Sequence, residues 1–104
     1  MRLFIILVAA AGLAWGQAAQ PLRLETTIEL PDVQGRIDHM SIDVKGERLF
    51  VSALGNNTVE VIDLKAGKRA KTIGQLKEPQ GVLYLPKPDR LYIANAADGS
   101  VRNI

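Results

Sequence analysis

The 104-residue chain contains no cysteine. This excludes a disulfide scaffold, a thiolate metal site, a cysteine nucleophile and a lipid-bearing cysteine. Its one histidine, His39, falls short of the donor count a metal site needs unless further ligands converge on it. Aromatic residues make up only 5%, and Phe50, Tyr84 and Tyr92 have no interleaved basic cluster of the sort that binds single-stranded nucleic acid. Charge of one sign is scarce too: 13 Lys and Arg stand against 11 Asp and Glu, a net of +2. That balance is too even to favour nucleic acid or anionic lipid as a partner. No Gly-x-Ser-x-Gly elbow, phosphate loop or dinucleotide fingerprint is found. What remains, 47% hydrophobic and 23% charged residues, is the composition of an ordinary folded domain.

The single long apolar run lies at the amino terminus. Met1 and Arg2 precede the apolar stretch Leu3–Leu13, and Ala14-Trp15-Gly16 puts small residues at the cleavage-defining positions. Residues 1–16 therefore read as an export signal cut before Gln17, and the protein is expected in the periplasm or outside the cell. The run is shorter than the ~20 residues needed to span a bilayer, so no membrane association is expected after cleavage.

From residue 38 onward the chain repeats itself. Arg48-Leu49-Phe50-Val51-Ser52-Ala53 aligns with Arg90-Leu91-Tyr92-Ile93-Ala94-Asn95 at a spacing of 42 residues. The same spacing pairs Asp38 with Gln80, Met40 with Val82, Glu47 with Asp89, Val59 with Val101 and Ile62 with Ile104. Periods of about 40 to 45 residues occur in helical solenoids and in β-propellers, and this repeat lacks the amphipathic helices of the first kind.

Strand signals fill each period instead. His39–Val44 alternates Met40, Ile42 and Val44 with Ser41 and Asp43, and the turn Lys45-Gly46-Glu47 ends it. Leu49–Ala53 is nearly all apolar, as in a strand covered on both faces. A turn at Gly55-Asn56-Asn57 leads into Thr58–Leu64, and Ala66-Gly67-Lys68 leads into a more polar outer strand, Ala70–Ile73. The second period repeats the plan through Val82–Leu85, Leu91–Asn95 and Ser100–Ile104. Four antiparallel strands per period make one propeller blade. The expected fold class is therefore all-β, an incomplete β-propeller with a first blade at residues 38–73 and a second at 80–104. Upstream, Leu22, Leu24, Thr26, Ile28 and Leu30 alternate with polar residues up to Pro31, which predicts a further strand at 22–30.

These segments resemble the YVTN-type β-propeller repeat, and the chain as a whole looks like the exported YncE-like proteins. Tyr92-Ile93-Ala94-Asn95 matches the repeat's core tetrad, whereas the first copy departs from it at Phe50 and Ala53. Val59, Val61, Ile62 and Asp63 match the later strand signature, and Gly67-Lys68 the turn that follows. The resemblance covers about residues 35–104. It implies that the 22–30 strand completes the last blade of a ring, and that further blades are needed for closure. Rings of ~4 to 8 blades take on the order of 160 to 350 residues, so this chain holds about two blades of a longer architecture.

Asp38 and His39 stand just before the innermost strand, where propeller loops line the channel mouth, and Gln80 occupies the equivalent loop. These three residues are the candidate ligand contacts. The commoner role of such residues is to hydrogen-bond their own loop. Asp63, four residues before Gly67, fits a turn acceptor better than a cation ligand. Asn56-Asn57-Thr58 is a formal glycosylation sequon in which a hairpin turn explains the asparagines. With no catalytic constellation, no metal set and no cofactor motif, the expected function is a binding or interaction platform for a small molecule or protein. Two alternatives stand beside it. One is the amino-terminal part of a propeller enzyme, either a lactonase or a quinone- or haem-dependent oxidoreductase, with ligands gathered from several blades. The other is a truncated product without activity of its own.

Overall fold

The computed structural model describes residues 19–104, and the expected signal at 1–16 lies outside them. Among these residues seven strands form, joined as hairpins within each of two sheets. β1 (Met40–Asp43), β2 (Arg48–Ala53), β3 (Thr58–Asp63) and β4 (Lys68–Ile73) form one antiparallel sheet in chain order. β5 (Pro79–Leu85), β6 (Arg90–Asn95) and β7 (Val101–Asn103) form a second. The fold is all-β, the two sheets do not close into a barrel, and they have the form of incomplete propeller blades.

Residues that tolerate a left-handed backbone place the turns. Glu47 adopts φ 52° between β1 and β2, and Asp89 adopts φ 63° between β5 and β6. A single 3-10 turn at Leu54–Asn56 ends on Asn57 at φ 57°, and Gly99 holds φ 71° in the corresponding position of the second sheet. Asn and Gly are the residues that enter this region at least cost. The turn between β3 and β4 closes on Asp63, whose Oδ1 accepts the Ala66 N–H at 2.9 Å.

The 42-residue spacing holds for the backbone as well as for the sequence. Met40 faces Val51, Ser41 faces Phe50 and Ile42 faces Leu49 in the first sheet. In the second, Val82 faces Ile93, Leu83 faces Tyr92 and Tyr84 faces Leu91. Between the next strands, Phe50 faces Val61 and Ser52 faces Val59, while Tyr92 faces Asn103 and Ala94 faces Val101. Each of these pairs maps onto its counterpart by adding 42 to both members. A one-residue slip would turn every side chain to the other face. Shared register therefore means that equivalent residues lie on equivalent faces.

One face of the first sheet packs on one face of the second. Phe50, Val59, Val61 and Ile73 meet Leu91 and Ile93, with Leu76 of the connecting segment buried among them and Val82 and Tyr84 at the margin. The rings of Phe50 and Tyr84 stack across the seam with centroids 5.3 Å apart and planes 23° from parallel. An arrangement of this kind adds about 0.5–1.5 kcal/mol to simple burial.

On its other face, the first sheet carries a buried Glu60. Its carboxylate accepts the hydroxyls of Thr58 at 2.8 Å and Thr72 at 2.6 Å, with Arg69 at 3.7 Å. Arg69 in turn donates to the carbonyl of Pro31 at 2.6 Å, which ties the amino-terminal segment to β4.

Most strand ends fall within a residue of expectation, and two strands begin earlier. β4 begins at Lys68 and not Ala70, because Lys68 already pairs with Asp63 across the turn. β5 begins at Pro79 and not Val82; a first strand position tolerates proline, which has no N–H to donate. Residues 22–30, whose expected partners belong to the last blade of a ring, form no strand among the described residues. Leu22 and Leu24 are 84% and 82% exposed. Alternation alone does not make a strand: a ladder partner is required, and none lies beside this stretch among the described residues.

Candidate functional site

Two polar constellations occupy opposite ends of the seam between the sheets. The first contains the residues singled out from the sequence. Gly35 and Gly55 let two backbone segments touch: a Cβ on Gly55 would lie 2.6 Å from the Arg36 nitrogen, and one on Gly35 would lie 2.9 Å from the Gly55 Cα. The Gly55 N–H donates to the Arg36 carbonyl at 3.0 Å, which fixes the approach to β1. Asp38 N–H then donates to Ser52 O, and Ser52 N–H to His39 O, both at 2.9 Å.

So held, the Asp38 carboxylate sits between the Arg36 guanidinium, to which it is hydrogen-bonded, and His39 Nδ1 at 2.7 Å. His39 Nδ1 also lies 3.2 Å from the carbonyl of Gln80 across the seam. Both neighbours of Nδ1 are acceptors, so Nδ1 carries the proton and Nε2 is left free for another partner. Gln80 sits at a register shift between Pro79 and Gly81, a bulge that takes it out of the ladder. Thus the adjacent pair Asp38 and His39 meets Gln80, distant in the sequence, at one end of the two sheets.

His39 and Gln80, but not Asp38, border a concavity of about 310 Å³, lined also by Gly81, Ala94, Asn95 and neighbours. The far wall is saturated. Asn95 Oδ1 accepts the Lys77 N–H at 3.0 Å, and its amide donates to Ser100 Oγ at 3.1 Å. Ser100 donates from its hydroxyl to Asp98 Oδ1 at 2.6 Å and from its backbone N–H at 3.0 Å. These two donors, with Lys77 nearby, hold the Asp98 carboxyl below its usual range. The groups left to meet a ligand are His39 Nε2 and the Gln80 amide, above small apolar residues. Among the described residues, no group of three His, Asp or Glu side chains is placed to hold a metal ion.

Sequence reasoning missed the second constellation. Arg48 Nε donates to Asp43 Oδ2 at 2.9 Å, and Arg48 Nη2 reaches Asp89 Oδ1 at 3.2 Å in the other sheet. The guanidinium lies 5.3 Å from the ring centroids of both Phe50 and Tyr84. Tyr84 donates its hydroxyl to Asp89 at 2.6 Å, while its backbone N–H donates to Ser41 Oγ at 2.9 Å. The Gly46 N–H and then Arg48 hold the Asp43 carboxyl below its ordinary value, against the effect of burial. The Tyr84 hydroxyl and Arg48 do the same for Asp89, and that bond raises the Tyr84 phenol in return. Both carboxylates are thus held ionised and already paired, and none of these groups is poised to exchange a proton with a substrate. The cluster works as a polar staple across the seam. The pairing of Glu47 with Asp89 at the repeat spacing was a partial signal, but a one-dimensional repeat does not show which residues face each other across two sheets.

The remaining candidates serve the fold. Asp63 accepts a turn N–H, as expected. Asn56 donates to Thr58 Oγ1 and accepts from Gln34 N–H, and Asn57 Oδ1 accepts from Glu78 N–H, so both asparagines of the sequon hold loops together. Ser52 Oγ is buried with no hydrogen-bond partner.

No family model, curated protein or solved structure matches this chain.

Proposed function

We propose that the chain is part of an exported β-propeller of the YVTN repeat type, similar to YncE-like proteins, that holds a small ligand at its channel mouth. In this reading, further sheets of the same repeat complete the ring, His39 and Gln80 are the ligand-facing residues, and Asp38 orients the His39 ring toward them. The observation that carries it is the recurrence of strands in one register every 42 residues, with Asp38 and Gln80 at equivalent positions before β1 and in β5. The chemistry offered is one ring nitrogen and one side-chain amide over an apolar floor, in a space of about 310 Å³. That is near the lower limit for small-molecule pockets. A compact ligand with an apolar body and a hydroxyl that donates to Nε2, or a carbonyl that accepts from the Gln80 amide, fits this pair.

Titration of the ¹⁵N-labelled chain with a panel of small hydroxyl- and carbonyl-bearing fragments tests the reading. Binders should shift the resonances of His39, Gln80 and Ala94. They should lose most of their affinity in His39→Ala and Gln80→Ala, and keep it in Lys45→Ala. Shifts that persist in both site variants, or a site that no fragment perturbs at millimolar concentration, would refute it.

A further inference from the structure

Charge that is balanced along the chain is unbalanced in space. The β1–β2, β3–β4 and β5–β6 turns all lie at the end of the sheets opposite His39 and Gln80. These turns and the strand residues beside them carry Lys45, Lys65, Lys68, Lys87 and Arg90, all exposed and without an ion-pair partner among the described residues. Most acidic groups at this end are occupied. Asp43 and Asp89 pair with Arg48, and Asp63 accepts the Ala66 N–H, which leaves Glu47. The other end is the reverse: Arg36 pairs with Asp38 and Lys77 with Asp98, while Asp32 and Glu78 are exposed.

Each basic turn also presents an apolar residue beside its lysine. Val44 precedes Lys45 and is 77% exposed, Leu64 precedes Lys65 and is 39% exposed, and the exposed Pro86 and Pro88 flank Lys87. Pro86 stands 42 residues after Val44 and stays exposed although the first sheet packs on the second, so a sheet packed alongside does not cover this turn position. Direct bonds hold the three turns in one surface. The Leu64 N–H donates to the Glu47 carbonyl at 2.9 Å, and Arg48 donates to Asp89 at 3.2 Å. Asp43 accepts the Gly46 N–H at 3.0 Å and fixes the first turn itself. Little ordering is left to oppose docking.

We infer that this turn end docks the protein on an anionic phospholipid bilayer. Lys45, Lys65, Lys68, Lys87 and Arg90 meet headgroup phosphates, and Val44, Leu64, Pro86 and Pro88 enter the boundary between headgroups and acyl chains. Exposed apolar residues next to cations fit a phase that offers hydrocarbon and phosphate side by side, which neither a soluble polyanion nor an acidic protein surface does. Four of the five cations are lysines, flexible point charges suited to a fluid layer of phosphates more than to one fixed anion. The acidic end then points away from the membrane, with the His39 and Gln80 concavity toward solvent. The inference does not depend on the ligand.

Vesicle flotation tests it with residues 17–104, the form expected after export, which contain every described strand and lack the apolar run Leu3–Leu13. The protein should float with vesicles of equal parts phosphatidylcholine and phosphatidylglycerol and not with phosphatidylcholine alone. Sodium chloride at about 1 M, where the Debye length is ~3 Å, should weaken binding at least ten-fold. Lys45→Glu, Lys65→Glu and Lys87→Glu should each weaken it by about ten-fold or more. Val44→Ser and Leu64→Ser should each weaken it about three- to ten-fold, and Lys71→Glu, in the middle of β4, by no more than about two-fold. Circular dichroism confirms that each variant is folded. A lipid-borne spin label should broaden the resonances of Lys45, Leu64 and Lys87 and leave those of His39 and Gln80 sharp. Equal binding to both lipids, no binding to the anionic vesicles, or broadening at His39 and not at the turns would overturn the inference. Losses confined to the lysine variants would overturn it too, making the surface a site for a soluble polyanion. Fragment titration and flotation read opposite ends of the molecule, so either reading can fail alone.

Discussion

Replacing Phe50 with alanine probes the seam directly, because the repeat supplies its own control. Phe50 is 4% exposed, stacks on Tyr84 and lies under Arg48. Its equivalent, Tyr92, is only partly buried, on the outer face of the second sheet. Truncating a buried phenylalanine costs about 3–5 kcal/mol, since the transfer energy of the ring is lost and a cavity remains. At Tyr92 the site is open to water, no cavity forms, and only part of the ring's burial is lost, so Tyr92→Ala should cost about 1 kcal/mol. Urea unfolding followed by circular dichroism, at concentrations where the chain is monomeric, measures both. Should Phe50→Ala fail to fold, Phe50→Leu should still lose about 1–2 kcal/mol. Equal losses at positions 50 and 92 would refute the packing of one sheet on the other.

Further consequences follow from single residues. Ser52→Ala removes a buried hydroxyl that has no partner, and the second repeat already has Ala94 there, so stability should rise by about 1 kcal/mol in the same urea assay. A loss would mean that the hydroxyl is bonded. Gly55→Ala places a Cβ against the Arg36 backbone and should cost about 1–3 kcal/mol while displacing His39, seen as a shift of its ring resonances. Unchanged resonances would contradict the close approach. The Asp43 and Asp89 carboxyls are both held below the ordinary 3.8. Between the folded value and 3.8 the unfolded chain binds more protons, so their contribution is intact above about pH 4 and is lost as pH falls further. Melting temperatures measured from pH 6 to pH 2.5 should fall more steeply for wild type than for Asp43→Asn/Asp89→Asn, and parallel curves would exclude the staple.

Much of the sheet architecture was legible in the sequence because strand formation here is a matter of pattern. Alternation around Met40–Val44, the apolar run Leu49–Ala53 and the turn residues Asn57, Gly67 and Gly99 all act locally. The repeat then carried each reading from the first sheet to the second. Residues 22–30 show the limit of that method, since their alternation is as regular as that of β1 but backbone pairing depends on a neighbouring strand. Asp38, His39 and Gln80 come together because loops before equivalent strands end at one end of stacked sheets. The Arg48 staple was not legible, because Asp43, Tyr84 and Asp89 come together only through the face-to-face placement of the sheets. The hydroxyl bond from Tyr84 to Asp89 is likewise invisible to periodicity.

The central claim is that two sheets of identical register, 42 residues apart, pack face to face through Phe50 and Tyr84. Proton NOE measurements on the labelled chain in solution test it most directly. The account predicts cross-peaks between the Phe50 and Tyr84 rings, together with backbone contacts linking Phe50 to Val61 and Tyr92 to Asn103. A register displaced by one residue in either sheet, or rings with no contact between them, would contradict it.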